Sequence, residues 1–142
     1  MYHEAEKRLG ALLNSGDQAS ISGGSTGLEK ESLRVGPDGS IAQTGHPAAL
    51  GSALTHPWIT TDYSEALLEF ITPPYTEAQE ALGFLRRLQH YVYSRLDRVL
   101  LWSASMPCVV EVESFIPLAR FGSSNAATMK TVYRRGLGYR YG

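Results

Sequence analysis

A chain of 142 residues is long enough for one domain with a real core, and 43% hydrophobic against 19% charged residues suits a globular protein in water. The formal net charge of -1 gives no reason to expect nucleic acid or an anionic membrane as a partner, and no apolar run approaches membrane-spanning length. The opening MYHEAEKRLGALLNSG lacks the continuous apolar core of a signal peptide, and the single cysteine, Cys108, has no internal disulfide partner, so a cytoplasmic protein is expected.

In chain order, Tyr2, Ala5, Leu9, Leu12 and Leu13 fall on one helical stripe, and Ser15-Gly16 is a plausible stop. A loop rich in Ser and Gly covers residues 20–26, and GLEKESLRV, Gly27 to Val35, reads as a strand. Gly36-Pro37-Asp38-Gly39 is strong turn chemistry and predicts a hairpin partner near Ser40 to Gln43. Residues 44–57 read as loop with a short helical turn within 48–54, and Trp58 to Asp62 as extended chain. ALLEFIT, Ala66 to Thr72, reads as a buried strand, ended by Pro73-Pro74 because proline cannot donate to a ladder. Thr76 and Gln79 have the spacing of a capping box, and Ala78, Ala81, Leu82, Leu85, Leu88, Val92, Leu96 and Val99 then recur at helical intervals, predicting an amphipathic helix of about six or seven turns. A short strand is expected within 101–113, a turn or helix start at 122–125, and a helix over 126–137.

The informative residues are acids within strand-like apolar sequence. Side chains alternate across a strand, so Glu29 and Glu31 share one face while Lys30 and Arg34 point to the other. Two carboxylates at that spacing repel, which raises a pKa or calls for a cation. Glu69 lies between Leu68 and Phe70, where burial would cost an unpaired carboxylate several kcal/mol, the order of the penalty for taking one ion out of water. A divalent metal answers both objections, and glutamates without a His or Cys cluster favour magnesium or manganese over zinc. A Glu-x-Glu pair also suits a plain solvated strand face, and Asp62 suits a turn or cap; pattern alone leaves these readings open.

Other residue groups carry less. The four histidines are scattered, His46 and His56 before prolines and His3 and His90 on helices. Cys108 reads as a small buried residue. Gly23, Gly24 and Gly27 do not form a phosphate loop, because GxxxxGK[ST] is absent. KTVYRRGLGYRYG sets Lys130, Arg134, Arg135 and Arg140 among tyrosines; it suits stacking and charge contacts to RNA, arginine pairing with carboxylate or phosphate, or a solvated basic helix face.

GLEKESLRV, TGHPAALGSALTHPWITTDYSEALLEFITPP, LWSASMPC, LARFGSSN and YRRGL…RYG occur in this order. Together they resemble the N-terminal region of the gammaproteobacterial type of glutamate–cysteine ligase, from about Gly27 to Gly142. The resemblance implies an α+β fold similar to glutamine synthetase: an antiparallel sheet bent into a saddle, helices packed behind it, and the active site on the open face. It implies metal-binding roles for Glu29 and Glu31 of the GLExE strand and for Asp62 and Glu69 of the ITTDxxExLLEFIT block. It sets Tyr133 and Arg134 near the amino-acid substrates, with Arg134 orienting a carboxylate or phosphate bidentately.

The implied reaction uses ATP and Mg2+ or Mn2+. ATP phosphorylates the side-chain carboxylate of L-glutamate, and the amine of L-cysteine then attacks the acyl phosphate and releases phosphate. Lys30 stands where many members have Arg, and residues 123–128 are only loosely similar to the family pattern. Family members are several-fold longer, and a further strand with a histidine of the site is expected beyond this stretch. The chain by itself is therefore expected to be inactive, with exposed sheet edges. A non-catalytic remnant that binds metal or a partner, and a related carboxylate–amine ligase using another amine, are the competing readings.

Overall fold

The computed structural model describes residues 2–141, and the side chains of all of these except residue 21 and residues 134–141. Helix α1 (Tyr2–Ser15) leads through a 3-10 turn to strand β1 (Glu29–Val35). Strands β2 (Ile59–Thr61) and β3 (Leu67–Ile71), helix α2 (Ala78–Tyr93), strand β4 (Leu100–Leu101) and helix α3 (Asn125–Tyr141) follow. The strands form one antiparallel sheet in the order β2-β3-β1-β4, the α+β class expected.

One hydrophobic layer fixes the sheet's orientation. Ile59 of β2 and Leu68 and Phe70 of β3 are wholly buried and pack with Leu85, Leu88 and Val92 of α2, with Leu50 and Leu101 closing the cluster. Trp58 meets Phe84 edge to face at 5.4 Å at its margin. A second cluster gathers Val35, Ile41, Ala42, Ala66 and Cys108, so the lone cysteine is the small buried residue expected. With period two, Lys30, Ser32 and Arg34 share the covered face with Leu68 and Phe70, and Lys30 Nζ lies 5.9 Å from the Phe70 ring centre. The other face is uncovered around Glu29 and Glu31 of β1, while its far end, Leu33 and Val35, packs into the second cluster.

Several expectations are corrected. Helix α2 ends at Tyr93, short of Val99. The Ser94 hydroxyl bonds back to Tyr91 O at 2.7 Å, the N–H groups of Arg95 and Leu96 both turn onto Val92 O, and Arg98 adopts φ 54. Leu96 and Val99 thus continue the apolar recurrence without continuing the helix; they pack against the first and second clusters respectively. The helix N-cap is Glu77, with no side-chain cap bond, so Thr76 and Gln79 do not form the predicted box. The turn at 36–39 forms, with Gly39 at φ 81 and the Asp38 carboxylate accepting from Ser40. Its return segment makes only a bridge between Ile41 and Val35, because it shares an edge of β1 with β3: Ala42 N–H donates to Arg34 O while Arg34 N–H already donates to Ala66 O. The apolar stripe of α1 is left open: none of its described residues is buried, and Leu9 and Leu13 are more than half exposed.

Candidate metal centre

Register brings the acids together. In the β1–β3 ladder Glu31 stands directly opposite Glu69, and Glu69 is opposite Thr60 of β2. Asp62, two residues beyond Thr60, lies on the same uncovered face, its N–H donating to Leu67 O at 3.1 Å. Carboxylate oxygens of Glu31, Asp62 and Glu69 lie within 4.8 Å of one another. Glu29, opposite Ile71, is on that face but outside this group. Glu69 is half-buried rather than buried, because its apolar neighbours Leu68 and Phe70 point to the other side of the sheet.

The local field follows from this crowding. Partial burial, then the charges of Asp62, Glu29 and Glu31, push the Glu69 carboxyl above the usual glutamate range. Loss of hydration, then a hydrogen bond and charge repulsion from Asp62, does the same for Glu31, although that residue is exposed as a whole. Asp62 moves the other way, because Lys130 Nζ of α3 donates to its Oδ1 at 2.7 Å. Lys130 is the one cation that ion-pairs with any of these acids among the described residues. Hard oxygen donors, no His or Cys in the group, and several carboxylates sharing a single ammonium make a face suited to magnesium or manganese.

A profile of the glutamate-cysteine ligase family matches residues 9–142, nearly the whole chain. The chain belongs to that family. A glutamate–cysteine ligase of Alcanivorax borkumensis is 59% identical over 137 residues, covering 96% of this chain and 26% of the relative. One from Pseudomonas aeruginosa is 58% identical over 116 residues, covering 82% of this chain and 22% of the relative. Among solved structures, the Francisella tularensis glutamate–cysteine ligase in complex with AMP superposes with a TM-score of 0.73 at 42% identity, over 82% of this chain and 23% of that one. A bifunctional glutathione synthetase from Pasteurella multocida gives 0.72 at 34% identity, over 79% of this chain and 15% of that one. The chain thus spans about a quarter of the length of the curated ligases it matches.

Other features of the chain surround the acids. A hollow of about 410 Å³ opens beside Glu31, walled by Leu33, Leu67, Trp102, Ser105 and Met106. Tyr133 is 58% exposed on α3, one turn beyond Lys130. Arg134 is among the residues whose side chains lie outside the described set, so its placement near substrate stays an expectation. His46 and His56 serve the scaffold: His46 Nδ1 pairs with Thr61 Oγ1 at 2.9 Å, and His56 Nδ1 accepts from the N–H groups of Trp58 and Ile59.

Sequence reasoning missed two residues. Lys130 lies in the basic tract, and nothing in sequence links it to an acid 68 positions away. Glu65 is 4% exposed. Its carboxylate accepts from His46 N–H at 2.7 Å and Arg120 N–H at 2.6 Å, while Arg34 Nη2 donates to its carbonyl at 2.8 Å. Ser64 Oγ and Glu65 N–H both donate to Pro117 O, and Ala119 N–H donates to Tyr63 O. The 62–65 turn therefore carries Asp62 and also fixes the segment that leads into α3. The signal available was another acid beside an apolar run, Glu65 before ALL, but only the fold shows that it faces inward.

Proposed function

We propose that this chain forms the metal-holding face of a glutamate–cysteine ligase, which joins the side-chain carboxylate of L-glutamate to the amine of L-cysteine at the expense of ATP. The observation that carries this reading is the group Glu31, Asp62 and Glu69, held within 4.8 Å on the uncovered face of the sheet. Glu29, Glu31, Asp62 and Glu69 would hold Mg2+ or Mn2+, and such an ion supplies charge neutralisation to phosphate oxygens during phosphoryl transfer. Family membership and the AMP bound to the Francisella relative support a nucleotide substrate here.

The chain's own residues account for binding and orientation. The β1–β3 register fixes the spacing of the carboxylates, and α2 behind the sheet keeps that register from slipping. The hollow beside Glu31 has room for an amino-acid substrate against its apolar wall. Tyr133 and Arg134 follow Lys130 on α3 and would orient the amino acids, Arg134 by a two-pronged contact to a carboxylate or phosphate. In the first reaction step the glutamate side-chain oxygen takes the γ-phosphoryl group and ADP leaves. In the second the cysteine nitrogen bonds to the acyl carbon, loses a proton and expels phosphate.

A graft tests this reading. Replacing the matching N-terminal quarter of the Alcanivorax borkumensis ligase with this chain should preserve ADP release that requires both glutamate and cysteine. Glu31→Gln and Glu69→Gln in the graft should lower it by about 100-fold or more, the scale of losing groups that stabilise transferring charge. A soluble graft that turns over equally well with either acid neutralised would reject the assignment.

A further inference from the structure

We infer that Lys130 is a stand-in cation for the acid face: its ammonium holds Asp62 when no metal is bound and withdraws when a divalent ion takes that carboxylate. This rests on the metal-holding reading proposed above and concerns a residue that the reading does not use.

The case begins with position. Lys130 Nζ lies 2.7 Å from Asp62 Oδ1, and Asp62 is itself one of three carboxylates within 4.8 Å of one another. The ammonium thus sits at the rim of the space the three acids define. Its charge is felt by Glu31 and Glu69 as well as by Asp62. Repulsion among the acids makes such a counter-charge stabilising when nothing else supplies one.

Exchange then follows from charge and geometry. A magnesium-sized ion needs carboxylate oxygens at about 2.0–2.1 Å and keeps its own waters, so it competes for the Asp62 carboxylate that Lys130 now holds. Two cations on one carboxylate repel, and the singly charged one on the flexible stem yields. Retreat needs no backbone change. Lys130 hangs on a four-carbon chain from a helix whose start is capped by the Ser124 hydroxyl, which accepts from Ala127 N–H, and the segment before it is tied down by Glu65. The Tyr63 ring, 6.0 Å from the ammonium, offers it a resting face.

A lysine that only braces the fold, or that orients Asp62 for the ion, would behave differently. Removing a brace weakens metal binding or leaves it unchanged; removing a competitor strengthens it. By linkage, the same substitution must destabilise the metal-free protein more than the metal-loaded one.

The test titrates the full 142-residue chain, wild type, Lys130→Met and Lys130→Gln, with Mn2+ by calorimetry, and records Tm without metal and at saturating Mn2+. The expected result is Mn2+ bound about threefold to tenfold more tightly by both variants, the range of one partly exposed ion pair acting as competitor. Their Tm without metal should fall by a few degrees, and their Tm with Mn2+ should match or exceed that of wild type. Gln keeps a hydrogen-bond donor near Asp62 without the charge, so tighter binding by Gln identifies the charge as the cause. If the Met variant does not fold, the Gln variant decides. Equal or weaker Mn2+ binding by the Gln variant overturns the exchange and leaves the metal-holding reading standing. A wild-type chain that binds no Mn2+ overturns both.

Discussion

Glu69→Gln isolates the charge at the centre of the sheet, because glutamine keeps the shape and removes only the ionisation. Glu69 faces Glu31 across the ladder, and one of its oxygens lies within 4.8 Å of oxygens on Glu31 and Asp62. At that separation two unit charges repel by about 3–4 kcal/mol at an effective dielectric near 20, and by under about 1 kcal/mol in bulk water. The face is open, and Lys130 offsets part of the repulsion. A net gain of about 1–2 kcal/mol in the metal-free protein is the result, or roughly 3–8 °C in Tm for a chain of this size. The pH dependence has a definite sign. The Glu69 carboxyl is raised above its ordinary value of 4.5, so the folded protein binds more protons there than the unfolded one and stability falls as pH rises through that region. Thermal melts of wild type and variant, without metal, should therefore diverge as pH rises above the ordinary glutamate value and converge below it. Mn2+ should reverse the order: the variant loses one of three converging carboxylates, should bind at least about tenfold more weakly, and should gain less from saturation. A variant no more stable than wild type without metal, and equally stabilised by Mn2+, would refute the reasoning.

Glu65→Ala should cost about 3–5 kcal/mol by urea unfolding, since it strands the N–H groups of His46 and Arg120 and strips the buried Arg34 of its nearby counter-charge. Phe70→Ala should cost about 3–5 kcal/mol in the same assay, as a large-to-small change at a wholly buried ring under α2. Burial and the nearby Arg34 charge hold the His46 imidazole below its ordinary value, so its contribution to stability is present above the ordinary imidazole range and is lost as pH falls through its lowered value; NMR titration of the His46 ring should show the late protonation.

Legibility in the sequence tracked how local each cause was. Period-two alternation in GLEKESLRV separates Glu29 and Glu31 from Lys30 and Arg34, because a strand fixes that relation within a few residues; the structure shows that Lys30 and Arg34 are on the covered face. By the same alternation Leu68 and Phe70 say nothing about the burial of Glu69, which lies on the other side. The end of α2 was not legible, because Leu96 and Val99 keep the apolar rhythm while backbone bonding at 91–96 stops the helix, with no Gly or Pro to mark it. Lys130 and Glu65 were hidden for another reason. Their partners lie 68 positions away and 19 and 55 positions away, so only tertiary structure reveals them. The proximity of Asp62 to Glu31 was reachable in sequence only through the family resemblance.

The assembly of like charges on the open face is a consequence of the core on the other. Ile59, Leu68 and Phe70 are wholly buried against α2, and each contributes about 1.5–3 kcal/mol relative to exposure, or about 5–9 kcal/mol together. A slip of one residue in the β1–β3 register would turn Glu69 inward and Phe70 outward. The acid repulsion of about 1–2 kcal/mol argued above is too small to force that slip, so the hydrophobic layer sets the register and the carboxylates are carried into proximity by it. What remains is a strained electrostatic arrangement on a stable backbone, which a cation relieves without moving a strand. Lys130 relieves it in part from α3, and what keeps Glu31, Asp62 and Glu69 together is a layer of apolar side chains on the opposite side of the sheet.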